Sequence, residues 1–165
     1  MDTPLAEGFG PPPFRFTPAQ GPVMHSRAYS LPFRLLATVL VFGALAWLGL
    51  LWQSGRLGGE ARTLASWFAA GAALMAYTWW CIVRSVTTLD ATQLQQTWIW
   101  SKRMDLRELA FARVLRVRGL EWLIAPRIYV RTLLGKFAVF YAAEPAMVAE
   151  FDRLARELAA FRGRR

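Results

Sequence analysis

Leu35 to Trp52 reads LLATVLVFGALAWLGLLW, eighteen residues without a single charge, bounded on one side by Arg34. As an α-helix this run extends about 27 Å, close to the roughly 30 Å hydrocarbon core of a bilayer. Ten of the eighteen are Leu, Val or Phe, which together favour membrane insertion by about 3 to 6 kcal/mol. A soluble protein would have to enclose such a helix completely, and a chain of 165 residues has too little else to do so. The run is therefore expected to span a membrane.

A second uncharged run, Leu64 to Val83, ends at Arg84. The link between them, Gln53 to Thr63, holds Gly55, Gly58 and Gly59, and is short enough to make the two helices antiparallel neighbours. Ala65, Ala69, Ala72 and Ala76 recur at helical spacing in the second run, predicting a small-residue packing face that lets a neighbouring backbone approach. That face serves packing within the hairpin or, alternatively, a seam between two copies. Trp47, Trp52, Trp67, Trp79 and Trp80 lie mainly toward the span ends, as an interfacial belt requires. Neither span contains Asp, Glu, Lys, Arg or His, whereas ion-coupled transport usually needs an intramembrane ionisable group. Transport by this chain alone is not expected.

Charge and greasiness are segregated. Hydrophobic residues make up 55% of the chain, yet its net charge is +9. From Arg84 onward there are 15 basic and 8 acidic residues. Basic residues stay on the cytoplasmic side of a membrane helix. Arg27 and Arg34 on one flank and Arg84, Lys102 and Arg103 on the other outweigh Arg56 and Arg62 in the link. Both termini are predicted to be cytoplasmic. Nucleic acid is not an expected partner, because no nucleic-acid-binding motif accompanies the charge.

Cys81 and His25 are the sole cysteine and histidine, so neither a His/Cys zinc site nor a Cys–His nucleophile pair can form. The carboxylates Asp90, Asp105, Glu108, Glu121 and Glu144 fall on separate turns and ends, and no nucleophile elbow or phosphate-cradling glycine loop is present. The sequence predicts no enzyme, no cofactor and no metal.

Residues 1–30 are rich in Pro and Gly, with Pro11, Pro12 and Pro13 consecutive. They read as a flexible arm, and not as a cleavable signal. Residues 31–84 form the hairpin, and 85–165 a cytoplasmic module. In the module, Ser85–Leu89 and Gln93–Trp100 read as strands around Asp90–Ala91. Arg103–Leu106, Ala112–Arg118, Arg127–Thr132 and Lys136–Tyr141 follow. In Ala112–Arg118, Leu115 and Val117 oppose Val114, Arg116 and Arg118; in Arg127–Thr132, Ile128 and Val130 oppose Arg127, Tyr129 and Arg131. From Pro145 a helix is expected, with Met147, Phe151, Leu154, Leu158 and Phe161 as one apolar stripe that covers the open side of a sheet.

The run from Thr87 to Glu157 resembles the bacterial pleckstrin-homology-like (PH-like) domains that follow one or two membrane helices in small inner-membrane proteins. TTLDATQLQQTWIWSKRMDL, ARVLRVRG, PRIYVR and EPAMVAEFDRLARE carry the resemblance. It implies an α+β fold, an antiparallel barrel or sheet capped by the C-terminal amphipathic helix, behind a two-helix transmembrane hairpin in the bacterial inner membrane. Eukaryotic PH domains bind phosphoinositides through a basic loop between their first two strands; here that turn reads as the acidic Asp90–Ala91.

Two groups are candidate contacts. Arg116, Arg118, Arg127 and Arg131 would share an outer surface if their strands were neighbours, and could grip phosphate or headgroup oxygens bidentately; otherwise they are a solvated strand face. Trp122, Leu123 and Ile124 are consecutive apolar residues in a connection; they either pack inward or touch the bilayer or a partner. The expected role is a non-enzymatic scaffold, adaptor or accessory subunit that binds a membrane protein or a second copy of itself. The alternative is recognition of anionic lipid headgroups.

Overall fold

The computed structural model describes residues 13–54 and 61–163, without side chains for 61–66. Three helices accompany two small antiparallel sheets. Strand β1, Val23–Arg27, precedes helices α1, Leu31–Gln53, and α2, Ala61–Arg84. Then come β2, Val86–Asp90; β3, Gln93–Gln96; β4, Lys102–Asp105; and a 3-10 turn, Leu106–Glu108. Strands β5, Leu109–Leu115, β6, Arg127–Thr132, and β7, Phe137–Tyr141, lead into α3, Pro145–Gly163. One sheet has the order β1-β2-β3-β4 and the other β5-β6-β7.

The arrangement corrects the flexible arm. Residues 1–12 lie outside the described residues, but from residue 13 the chain is built into the fold. Phe14 and Phe16 are buried, Phe16 to 2% exposure. Phe14 packs on Phe161 of α3 at 5.5 Å between ring centroids, and the Arg153 guanidinium lies over Phe16 at 4.6 Å. Arg153 also donates to the Thr17 carbonyl, and the Ala19 amide to Glu150 Oε2 at 3.3 Å. Residues 14, 16 and 18 face inward while 13, 15 and 17 face outward, the period of an extended segment lying on a core.

Strand β1 then pairs with β2, Val23 opposite Asp90 and Arg27 opposite Val86. The Ala28 amide extends the ladder to the Ser85 carbonyl at 3.1 Å. Both helices are thus an insertion between two paired strands, and the strand expected at Ser85–Leu89 is the second, Val86–Asp90, not the first. α1 and α2 run antiparallel in contact. Trp79 Nε1 donates to Thr38 Oγ1 at 2.8 Å, and Phe42 meets Trp79 edge-on at 5.2 Å. At the other end Leu48 and Leu51 share a cleft with Trp67, Phe68, Gly71 and Ala72.

Among the described residues one helix, α1, is long and apolar enough to cross a membrane, and 6% of its apolar window is buried. Leu35, Leu36, Val39, Leu40, Trp47 and Leu50 are exposed along it. A core helix of a water-soluble domain would be covered at such positions.

The core gathers Phe14, Phe16 and Met24 with Leu89, Leu94 and Met104 of the first sheet, and Ile128, Val130 and Phe140 of the second. Helix α3 contributes Met147, Phe151, Leu154 and Leu158, the expected stripe. It packs mainly on β5 and also touches β1. Two strands differ from their sequence assignments. β3 stops at Gln96 because the chain bends at Trp98–Trp100. β5 lies earlier than Ala112–Arg118 and has the opposite parity: Val114 packs on the core while Leu115 points out.

Candidate functional site

Direct pairing across a sheet puts partners on one face. Phe111 opposes Arg131, Arg113 opposes Tyr129, and Leu115 opposes Arg127. On the other side Arg127 opposes Tyr141, Tyr129 opposes Val139, and Arg131 opposes Phe137. Ile128, Val130 and Phe140 take the inner face. The outer face of β5-β6-β7 is therefore an aromatic row with arginines beside it. Phe111 and Tyr129 are 6.3 Å apart, and so are Tyr129 and Phe137. Phe137 is 70% exposed, and Leu133 and Leu134 of the turn that precedes it are also uncovered.

This splits the four candidate arginines. Arg127 and Arg131 share the outer face, as the alternation in PRIYVR required. Arg116 and Arg118 lie beyond the end of β5. Arg116 is paired with Asp152 of α3, which draws it off the sheet's outer face. Arg113 takes its place there. Sequence reasoning missed Arg113, Phe111 and Phe137. The signal was the alternation of Phe137, Val139 and Tyr141 against Ala138 and Phe140.

The row continues over the free edge of β7. There Leu134, Gly135, Lys136, Phe137, Ala138 and Val139 face Lys102, Arg103 and Met104, at the edge of the other sheet, across a groove of about 750 Å³. Gly135 has φ +82°, the left-handed conformation that its turn needs and that other residues rarely adopt.

A second cluster surrounds the helix bases. Ser30 caps α1, its Oγ accepting from the Phe33 amide at 3.4 Å and donating to the Leu123 carbonyl at 2.6 Å. That bond fastens the connection holding Trp122, Leu123 and Ile124 beside the start of α1. The three do not act alike: Trp122 is 62% exposed, whereas Leu123 and Ile124 are half-buried. At the end of α2, Ser85 Oγ donates to the Thr97 carbonyl at 2.6 Å. Trp98 packs beside Tyr29 at 5.7 Å, and Arg84 stacks over Trp80 at 4.2 Å.

Tyr29 lies under this cluster, stacked on Tyr141 at 5.6 Å. Burial, with the Tyr141 phenol and Cys81 nearby, pushes its pKa from 10.0 up to about 12. At the opposite end of the module Asp90 Oδ1 closes the β2–β3 turn, accepting from the amides of Thr92 at 2.6 Å and Gln93 at 2.7 Å. Burial works to raise the Asp90 pKa, but these bonds and the Thr92 hydroxyl outweigh it and hold it below 3.8.

On α2, Ala72 and Ala76 are half-buried, and Ala72 lies in the cleft against α1. Ala69 is exposed, and the Ala65 side chain lies outside the described residues. Among the described residues no group of three or more His, Cys, Asp or Glu side chains is placed to hold a metal ion. No protein-family profile, no curated protein and no solved structure matches this chain.

Proposed function

We propose that this chain is a two-span protein of the bacterial inner membrane, with both termini cytoplasmic, that acts as a non-enzymatic scaffold or accessory subunit. Parity supports the two spans. β1 and β2 belong to one sheet, so a chain that leaves the module through α1 must return to the same side. α2 is the helix that ends where β2 begins, and Leu64 to Val83 within it carries no charge. At about 1.5 Å per residue, its 24 residues are long enough for the crossing.

Four antiparallel strands, then three, then one helix support the PH-like reading, with the hairpin inserted between the first two strands. In that reading the loop that holds phosphoinositides in eukaryotic PH domains is replaced by the helix pair. This favours protein docking over headgroup recognition. So does the division of the arginines, since Arg116 is engaged by Asp152.

The observation that carries the proposal is the row Phe111–Tyr129–Phe137, in which Phe111 and Phe137 are exposed and Tyr129 is half-buried between them. Phe137 lies about 13 Å along β7 from Tyr141, and Tyr141 is the residue that stacks under the helix base. The row's far end is thus held away from the bilayer, where a protein surface can cover it. Flanking Arg113 and Arg131 favour a partner with carboxylates at its rim.

The test is mild detergent extraction of tagged full-length protein, followed by mass spectrometry of what remains bound at stoichiometric levels. The proposal expects one protein partner, or a second copy of the chain, held by the wild type and lost on Phe111→Glu with Phe137→Glu. Retention by that variant would contradict it.

A further inference from the structure

We infer that the module is held against the bilayer at two further points, by the β3–β4 and β5–β6 loops, whose exposed aromatic residues enter the lipid headgroup region beside the helix bases. This rests on the membrane-spanning reading of α1 and α2 and adds contacts that spanning alone does not require.

Each loop is tied to a different helix base. The β5–β6 loop is bonded to the N-cap of α1 through Ser30 and Leu123. It turns tightly on itself, the Leu123 and Ile124 amides both donating to the Leu120 carbonyl. That turn leaves Leu120 and Trp122 outermost, 42% and 62% exposed. The β3–β4 loop starts at Thr97, bonded to Ser85 and Val86 directly after α2. Its Trp98 lines a recess with Tyr77, Trp80, Cys81 and Arg84 of α2. Two residues on, Trp100 is 79% exposed, with Ile99 also uncovered.

Water is a poor environment for these side chains, and among the described residues Trp100 and Trp122 are mostly uncovered. The headgroup region suits them: Trp sits there with its apolar ring among acyl carbons and its N–H toward polar groups. Cationic residues adjoin both loops: Arg84 lines the recess with Trp98, Lys102 and Arg103 follow the β3–β4 loop in sequence, and Arg118 and Arg127 bracket the β5–β6 loop. Positive charge next to a membrane-facing loop is attracted to anionic phosphates at the bilayer surface.

The test uses full-length protein in nanodiscs of mixed zwitterionic and anionic phospholipid. A single cysteine in a Cys81→Ser background carries an environment-sensitive fluorophore at Ser101, Glu121, Arg107 or Val39. Lipids with a nitroxide just below the headgroup are the quencher for the loops, and deeper nitroxides serve for Val39. The expected result is loss of emission and a blue shift at 101 and 121, none at 107, and quenching at 39. Trp100→Glu with Trp122→Glu should remove quenching at 101 and 121 and leave 39 unchanged. Quenching at 39 with none at 101 and 121 overturns the docking and leaves the anchor standing. Absence of quenching at 39 overturns both.

Discussion

The amide of Ala28 donates to the carbonyl of Ser85 at 3.1 Å, closing the two ends of a helix pair into one antiparallel ladder. That single junction makes the helices an insertion within a sheet. It also forces anything crossing a membrane through α1 to cross back before β2.

Because β1 and the segment before it belong to the core, they should matter to stability as a core does. Phe16→Ala removes a ring that is 2% exposed and should cost about 3 to 5 kcal/mol. Arg15→Ala, at an exposed neighbour, should be near neutral. Denaturant unfolding in detergent, followed by near-ultraviolet circular dichroism, compares the two. Equal midpoints would mean that the arm is not part of the fold.

That segment also marks where the sequence stopped being legible. Helix α3 could be read because its information is local: Met147, Phe151, Leu154, Leu158 and Phe161 report one face at steps of three and four. β1 could not, because VMHSR has no local partner and its ladder is with residues beyond both helices. Pro and Gly around it mimic a disordered tail, while the period-two burial of Phe14, Phe16 and Pro18 was too short to stand out. The parity of β5 failed for a different reason. Arg116 resembled the next outward residue of a strand, but the strand ends at Leu115 and Arg116 goes to Asp152. A one-residue slip reverses every side chain, so Phe111 and Arg113 were lost from the outer face while the independently alternating Arg127 and Arg131 were kept.

Trp79→Phe keeps an aromatic ring facing Phe42 and deletes the donor to Thr38 Oγ1. Hydrogen bonds between membrane helices average about 0.6 kcal/mol, so the loss should be small and measurable in the thermal midpoint of the detergent-solubilised protein. Trp79→Ala, which also removes the edge-on ring contact, should lower the midpoint further. If the two variants behave alike, ring packing contributes nothing to the pair.

Asp90→Ala should destabilise the module by about 1 kcal/mol, leaving turn amides without their acceptor. Its pKa is lowered in the folded state, so the folded state favours the ionised form. The contribution is fully present above the unfolded value near 3.8 and is lost as pH falls through the lower folded value. The difference between wild type and variant should therefore shrink on acidification below pH 3.8 and stay constant near neutrality. A constant difference down to strongly acidic pH would remove the turn bonds as its cause.

Tyr29 gives the opposite sign. Its phenol is pushed from 10.0 to about 12, so the unfolded chain loses this proton first. Its contribution is complete below pH 10 and disappears as pH rises toward 12. Ultraviolet titration at the phenolate band should show a late-ionising component that is absent in Tyr29→Phe. An unchanged titration curve would contradict the burial of Tyr29 beside Tyr141.

The insertion itself is tested most directly by labelling from one side of the membrane. Single cysteines at Ala19, Gly58 and Glu157 in a Cys81→Ser background are exposed to an impermeant maleimide in sealed inner-membrane vesicles of known orientation. The account predicts that 19 and 157 label from the cytoplasmic face and that 58 labels only from the opposite face. Labelling of all three from the same face would contradict it.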